Sequence, residues 1–170
     1  IKTLAYLPFN TPREAEAMIT EFADQPGVIG FCVPSVRHKA LHHNDYMRCY
    51  AMLQELGKPV AFHAAYHWQD PSLATVNRFL GMHALGFAWC NMVHMTNWIL
   101  NGIPERFPGL KSIWVESGLA WVPFLMQRLD DQYLMRPSEA PQLKRLPSEY
   151  MREHCWYTTQ PMETVNMKAL

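Results

Sequence analysis

The stretch GKPVAFHAAYHW, residues 57–68, decides how the chain is read. It opens on a glycine that can end a helix and runs apolar from Pro59 to Phe62. It then stops on an imidazole, His63, with His67 and Trp68 just beyond. A short continuous apolar run bounded in this way reads as a buried strand, and its last residue stands where the chain leaves the sheet.

Outward from it the same unit repeats. Upstream, NDYMRCYAMLQELG places Tyr46, Cys49, Tyr50 and Leu53 on one helical face ahead of Gly57. Before that, GVIGFCVP (27–34) and TLAYL (3–7) read as strands. Between them lies NTPREAEAMITEFAD, with Thr11 as N-cap, Pro12 at the first helical position and Glu14 completing a capping box. Downstream, helical sequence across 71–101 opens after Asp70 at Pro71. KSIWVES (111–117) is a fourth strand, and GLAWVPFLMQRLDDQ is a helix despite Pro123. The segment 134–149 holds three prolines and little apolar periodicity, and reads as a surface excursion. HCWYTT (154–159) is a fifth strand and PMETVNMKAL starts a further helix. Continuous apolar strands separated by helices predict an α/β fold with a parallel sheet, in a single domain over 1–170.

Fifteen basic residues balance fifteen acidic ones in 170, so no electrostatic footprint for nucleic acid or an anionic membrane is present. The expected partner is a small molecule. The four cysteines lack a CxxC pair, and no apolar run reaches the ~18 residues of a membrane span. IKTLAYLPF does not have the layout of a signal peptide. These features predict a reduced, cytoplasmic protein, expected to form a homo-oligomer.

In βα architectures ligands bind at the carboxyl ends of the strands, where loops converge. Two residues there can bind a metal or move a proton: His63 and Glu116. His63 is either a ligand held on a rigid strand end or a core histidine bonded to a carbonyl. Glu116, after SIWV, must be paired, protonated or metal-bound, which leaves general base, ligand and arginine partner open. Arg37, in a polar loop with His38, Lys39, His42 and His43, can clamp a substrate carboxylate. His67 and Trp121 are further expected substrate contacts, Trp121 as an aromatic wall or as core. His94 and the eleven methionines are assigned to helix faces and packing.

The segments LPFNTPREAEAMI, GVIGFCVPSVRHKAL, LQELGKPVAFH, NGIPERFPGLKSIWVESGLAWVPFLMQRLD and LKRLPSEYMREHCWYTTQP follow one another in a familiar order. Together they resemble the amidohydrolase-related family of metal-dependent enzymes, the group that includes aminocarboxymuconate-semialdehyde decarboxylase. The resemblance implies a TIM barrel with one divalent metal, commonly zinc, at the strand ends. The metal would be held by a His-x-His pair on the first strand, a histidine on the fifth and an aspartate on the eighth. It makes His63 the fifth-strand ligand and puts Glu116 at the end of the sixth, where many members carry histidine. The chain holds no His-x-His, and aligned on the family it supplies strands three to seven of a partial (β/α)8 barrel. A longer parent chain is therefore expected, with an open five-stranded sheet as the competing arrangement. Two functions follow: a metal-dependent hydrolase or non-oxidative decarboxylase of a small carboxylated or cyclic substrate, or a non-catalytic binding and assembly module.

Overall fold

The computed structural model of the protein describes residues 1–34, 39–65 and 70–163. Among them, strands β1 (Thr3–Tyr6), β2 (Val28–Pro34), β3 (Val60–His63), β4 (Ser112–Val115) and β5 (Cys155–Tyr157) form one sheet. All four pairings are parallel, and the spatial order is the order of the chain. Doubly wound sheets reverse their strand order at a switch point, whereas a βα-barrel advances in one direction. The sequential order is that of a barrel segment.

The helices are α1 (Pro12–Phe22), α2 (Met47–Glu55), α3 (Phe79–Leu100), α4 (Ile103–Arg106), α5 (Trp121–Met135) and α6 (Pro147–His154). At the start of α1 the Thr11 hydroxyl donates to Glu14 Oε2 at 2.7 Å, so the two capping-box side chains meet each other. Ala15 and Ile19, one turn apart, are the residues this helix buries. Gly57 ends α2 with φ 62°, a left-handed value that costs glycine no Cβ clash.

Two expectations need correction. The chain does not become helical at Pro71: Asp70 Oδ1 captures the Ser72 amide at 2.9 Å, a turn forms, and α3 begins at Phe79. The excursion over 134–149 ends sooner than predicted, because α6 starts at Pro147. Glu149 accepts from the Leu146 amide at 2.8 Å and Asp130 on α5 accepts from the Ser148 amide at 2.8 Å, which satisfies two donors of the first turn. The helix read after Pro161 falls mostly on 164–170, outside the described residues.

The core lies on one face of the sheet. Phe31, Val33, Val60, Phe62, Trp114 and Cys155 pack there against Ile19, Leu53, Trp98, Leu125 and Met151 from five helices. Phe62, Trp98 and Trp114 form its centre, with ring centroids 5.0 to 6.3 Å apart. The other face carries the register row Tyr6, Cys32, Ala61, Ile113 and Trp156, with Tyr6 58% and Trp156 46% exposed. Among the described residues, helices thus cover one face of these strands, which is how strands stand in a barrel wall.

Candidate functional site

His63 closes β3, and its register partner on β4 is Val115. Glu116 follows directly with φ 61°, the left-handed region that a residue with a Cβ occupies at a cost. That turn brings Glu116 Oε2 to 2.7 Å from His63 Nε2, with the two side chains 37% and 34% exposed. Both side chains of the pair are thus partly exposed at the strand ends.

His63 Nδ1 lies 2.8 Å from the Ala64 carbonyl oxygen, which can only accept, so Nδ1 carries a proton. In the neutral ring Nε2 then bears a lone pair directed at a carboxylate oxygen. Two acceptors at 2.7 Å repel each other unless a proton or another cation lies between them.

The surrounding backbone is tied from three elements. Val115 O accepts from the Ala64 amide at 3.0 Å and from Asn91 Nδ2 on α3 at 3.3 Å. Asn91 Nδ2 also donates to Ser117 Oγ at 2.9 Å. The Glu116 amide donates to Thr158 Oγ1 at 3.0 Å, and Glu163 Oε2 accepts from the Leu119 and Ala120 amides at 2.8 Å ahead of α5. Trp121, 6% exposed, donates its indole N–H to Ser117 O at 2.9 Å and Gly118 O at 3.1 Å.

Of the residues singled out from sequence, His63 and Glu116 meet, and Trp121 stands behind the turn that follows them. Arg37 and His67 lie outside the described residues. Among the described residues no group of three or more His, Cys, Asp or Glu side chains could hold a metal ion. Asn91 and Thr158 are additions. Asn91 had a signal, an amide amid FAWCNMVHM, because a polar residue in so apolar a run must be hydrogen-bonded. His94 and His42 each have a buried Nδ1 without a hydrogen-bond partner among the described residues. Burial, and then the neighbouring His42, hold the His94 imidazole down to about 4.

The family model described as Amidohydrolase matches residues 2–167. The chain belongs to the amidohydrolase family. The motif resemblance thus holds over nearly the whole amidohydrolase chain, and the solved structures agree. The 5-carboxyvanillate decarboxylase of Sphingomonas paucimobilis superposes with a TM-score of 0.85 at 21% identity, covering 98% of this chain and 51% of that one. The 2,6-dihydroxybenzoate decarboxylase of Rhizobium gives 0.84 at 20% identity, with 98% and 55% covered. A dihydroxybenzoic acid decarboxylase from Polaromonas sp. JS666, with bound manganese and 2-nitroresorcinol, gives 0.79 at 22%, with 98% and 53% covered. These identities establish fold: part of a TIM barrel in an amidohydrolase chain that spans about half the length of those neighbours. No curated protein matches the sequence.

Proposed function

We propose that this chain forms part of a metal-dependent, non-oxidative decarboxylase acting on a small aromatic acid. The observation that carries the reading is the 2.7 Å contact between His63 Nε2 and Glu116 Oε2 at the carboxyl ends of adjacent parallel strands. The His63 imidazole nitrogen is a donor that a divalent ion takes, so this residue fits such an ion, although the described residues do not make a complete ligand set. His63 is the proposed ligand. The manganese in one structural neighbour supports a divalent ion, with zinc as the alternative from family resemblance. When bound, the ion supplies fixed positive charge for the substrate's carboxylate and phenolic oxygens.

Glu116 is the proposed group that passes a proton to the ring carbon bearing the carboxylate. The bond from that carbon to the carboxylate then breaks, carbon dioxide leaves, and the electron pair of the bond restores the aromatic ring. At 37% exposure Glu116 takes its next proton from solvent. The left-handed backbone at Glu116 holds the acid on the His63 side of the sheet, a strain of the kind that collects at functional positions. Arg37 is proposed to clamp the substrate carboxylate, and His67 to contact the substrate, on the strength of the sequence. Trp121, buried behind the turn at 6% exposure, is the proposed aromatic contact. Cys32, Cys49 and Cys155 are buried thiols, which fits a reducing, cytoplasmic setting. No described helix is long and apolar enough to cross a membrane. Homo-oligomer formation belongs to the same proposal.

The three neighbours named are decarboxylases, which favours this chemistry over hydrolysis. The test uses the full-length protein, loaded in turn with manganese and zinc and offered a panel of ortho-hydroxybenzoates. Carbon dioxide release that disappears in His63→Ala supports the enzyme. Stoichiometric metal binding is required as well; no metal and no turnover on the panel would establish the non-catalytic module instead.

A further inference from the structure

Asn91 sits on α3, fully buried, and reaches both residues that flank Glu116. Its Nδ2 donates to the Val115 carbonyl at 3.3 Å and to Ser117 Oγ at 2.9 Å. The amide cannot be turned around, because Oδ1 would then face a carbonyl oxygen and two acceptors would repel. In the orientation adopted, Oδ1 is buried with no hydrogen-bond partner among the described residues. An unsatisfied buried acceptor is costly, and an aliphatic side chain of the same shape would remove that cost. The donors must accordingly do something that packing does not.

The Val115 carbonyl also accepts from the amide of Ala64, the residue after His63, at 3.0 Å. One carbonyl thus joins the ends of β3 and β4, and Asn91 pins it from the helix layer. From the other side Thr158 Oγ1 takes the Glu116 amide at 3.0 Å. A left-handed glutamate persists only when its surroundings over-determine it, and these contacts are what does so.

We propose that Asn91 is a positioning residue: by clamping Val115 and Ser117 it holds the left-handed turn that aims Glu116 at His63. The inference rests on the metal-dependent reading above for its functional consequence, while its structural part stands on the hydrogen bonds themselves. Asn91→Leu is expected to fold, since Val115 O keeps the Ala64 amide and the orphaned Oδ1 is gone.

The test compares wild type, Asn91→Leu and Asn91→Asp in the full-length protein by three readouts: manganese affinity, the split between kcat and KM, and amide exchange of the metal-free protein. Asn91→Leu is expected to weaken manganese binding and lower kcat roughly 10-fold or more, the range seen for residues that orient ligands, with KM changed less than about 3-fold. Exchange at residues 116–118 rises by a similar factor, while β1 and β2 exchange as before. Asn91→Asp, which turns a carboxylate towards the same two acceptors, is worse in each. Unchanged exchange at 116–118 in Asn91→Leu overturns the inference, as does a rise shared by every strand, which would mark general destabilisation. If wild type binds no manganese yet the local rise is seen, the decarboxylase reading fails and the clamp stands. If wild type binds manganese and turns over while Asn91→Leu leaves exchange at 116–118 unchanged, the clamp fails and the decarboxylase reading stands.

Discussion

Trp114 in β4 and Glu116, the residue just past the end of that strand, face opposite sides of the sheet. Side chains two apart on a strand share a face. Trp114 keeps to that rule by packing with Phe62 and Trp98 beneath the helices. Glu116 departs from it: with φ 61° its carboxylate lies against His63, the neighbour of Phe62 whose side chain points to the other face. Strict alternation would have carried a carboxylate into the aromatic core, where burying an unpaired charge is prohibitive. A single left-handed residue instead brings the carboxyl group against His63 at the rim.

Glycine adopts this conformation freely, whereas alanine meets the left-handed penalty. Glu116→Gly is therefore expected to be more stable than Glu116→Ala by about 1 kcal/mol, the reverse of the usual preference for alanine. Urea unfolding of the two variants measures it. Both are expected to lose turnover, since neither carries the acid; equal stability would show that the turn is not strained.

Removing the imidazole tests the proposed ligand. His63→Ala is expected to lose bound manganese and to reduce turnover by at least about 100-fold, the upper end of what outer-shell partners cost. Metal content after gel filtration, read beside circular dichroism to confirm folding, decides it. Full metal occupancy in the variant would remove His63 from the site.

Acid stability depends on His94. Burial, the larger cause, and His42 lower its folded-state value from 6.5 to about 4. The folded chain therefore binds fewer protons than the unfolded one between those values, and stability falls as pH drops through that window. The contribution is complete above 6.5, and its loss is roughly 3 kcal/mol by the time pH 4 is reached. His42, lowered by burial and then by His43, acts with the same sign. His94→Gln is expected to flatten the denaturation midpoint between pH 6.5 and 4; an undiminished slope would place the acid sensitivity elsewhere.

At the opposite rim Lys58 donates to the Ala23 carbonyl and, at 2.8 Å, to Val28 O, stitching the end of α1 to the start of β2. Lys58→Met is expected to cost about 1–3 kcal/mol, through loss of charged hydrogen bonds. It should leave kcat and KM unchanged, because the amino-terminal rim of a barrel serves stability. Thermal melts and steady-state rates on one preparation check both halves.

The sequence by itself determined the βα repeat, the parallel sheet, the family and the strand-end placement of His63. Each is local: continuous apolar runs mark strands, 3.6-residue spacing marks helices, and Gly57 closes α2 with its own backbone. Helix α6 escaped because its cap is the Glu149 carboxylate and an aspartate from α5, behind a leucine that signals no cap. The turn at Glu116 belonged wholly to the tertiary structure. Nothing in SIWVESG marks glutamate as left-handed, and the bonds that hold it so come from Asn91 on α3 and Thr158 after β5. Side-chain alternation is a property of one strand, whereas an exception to it is stable only when other elements hold it in place, and those partners meet only after the sheet has formed.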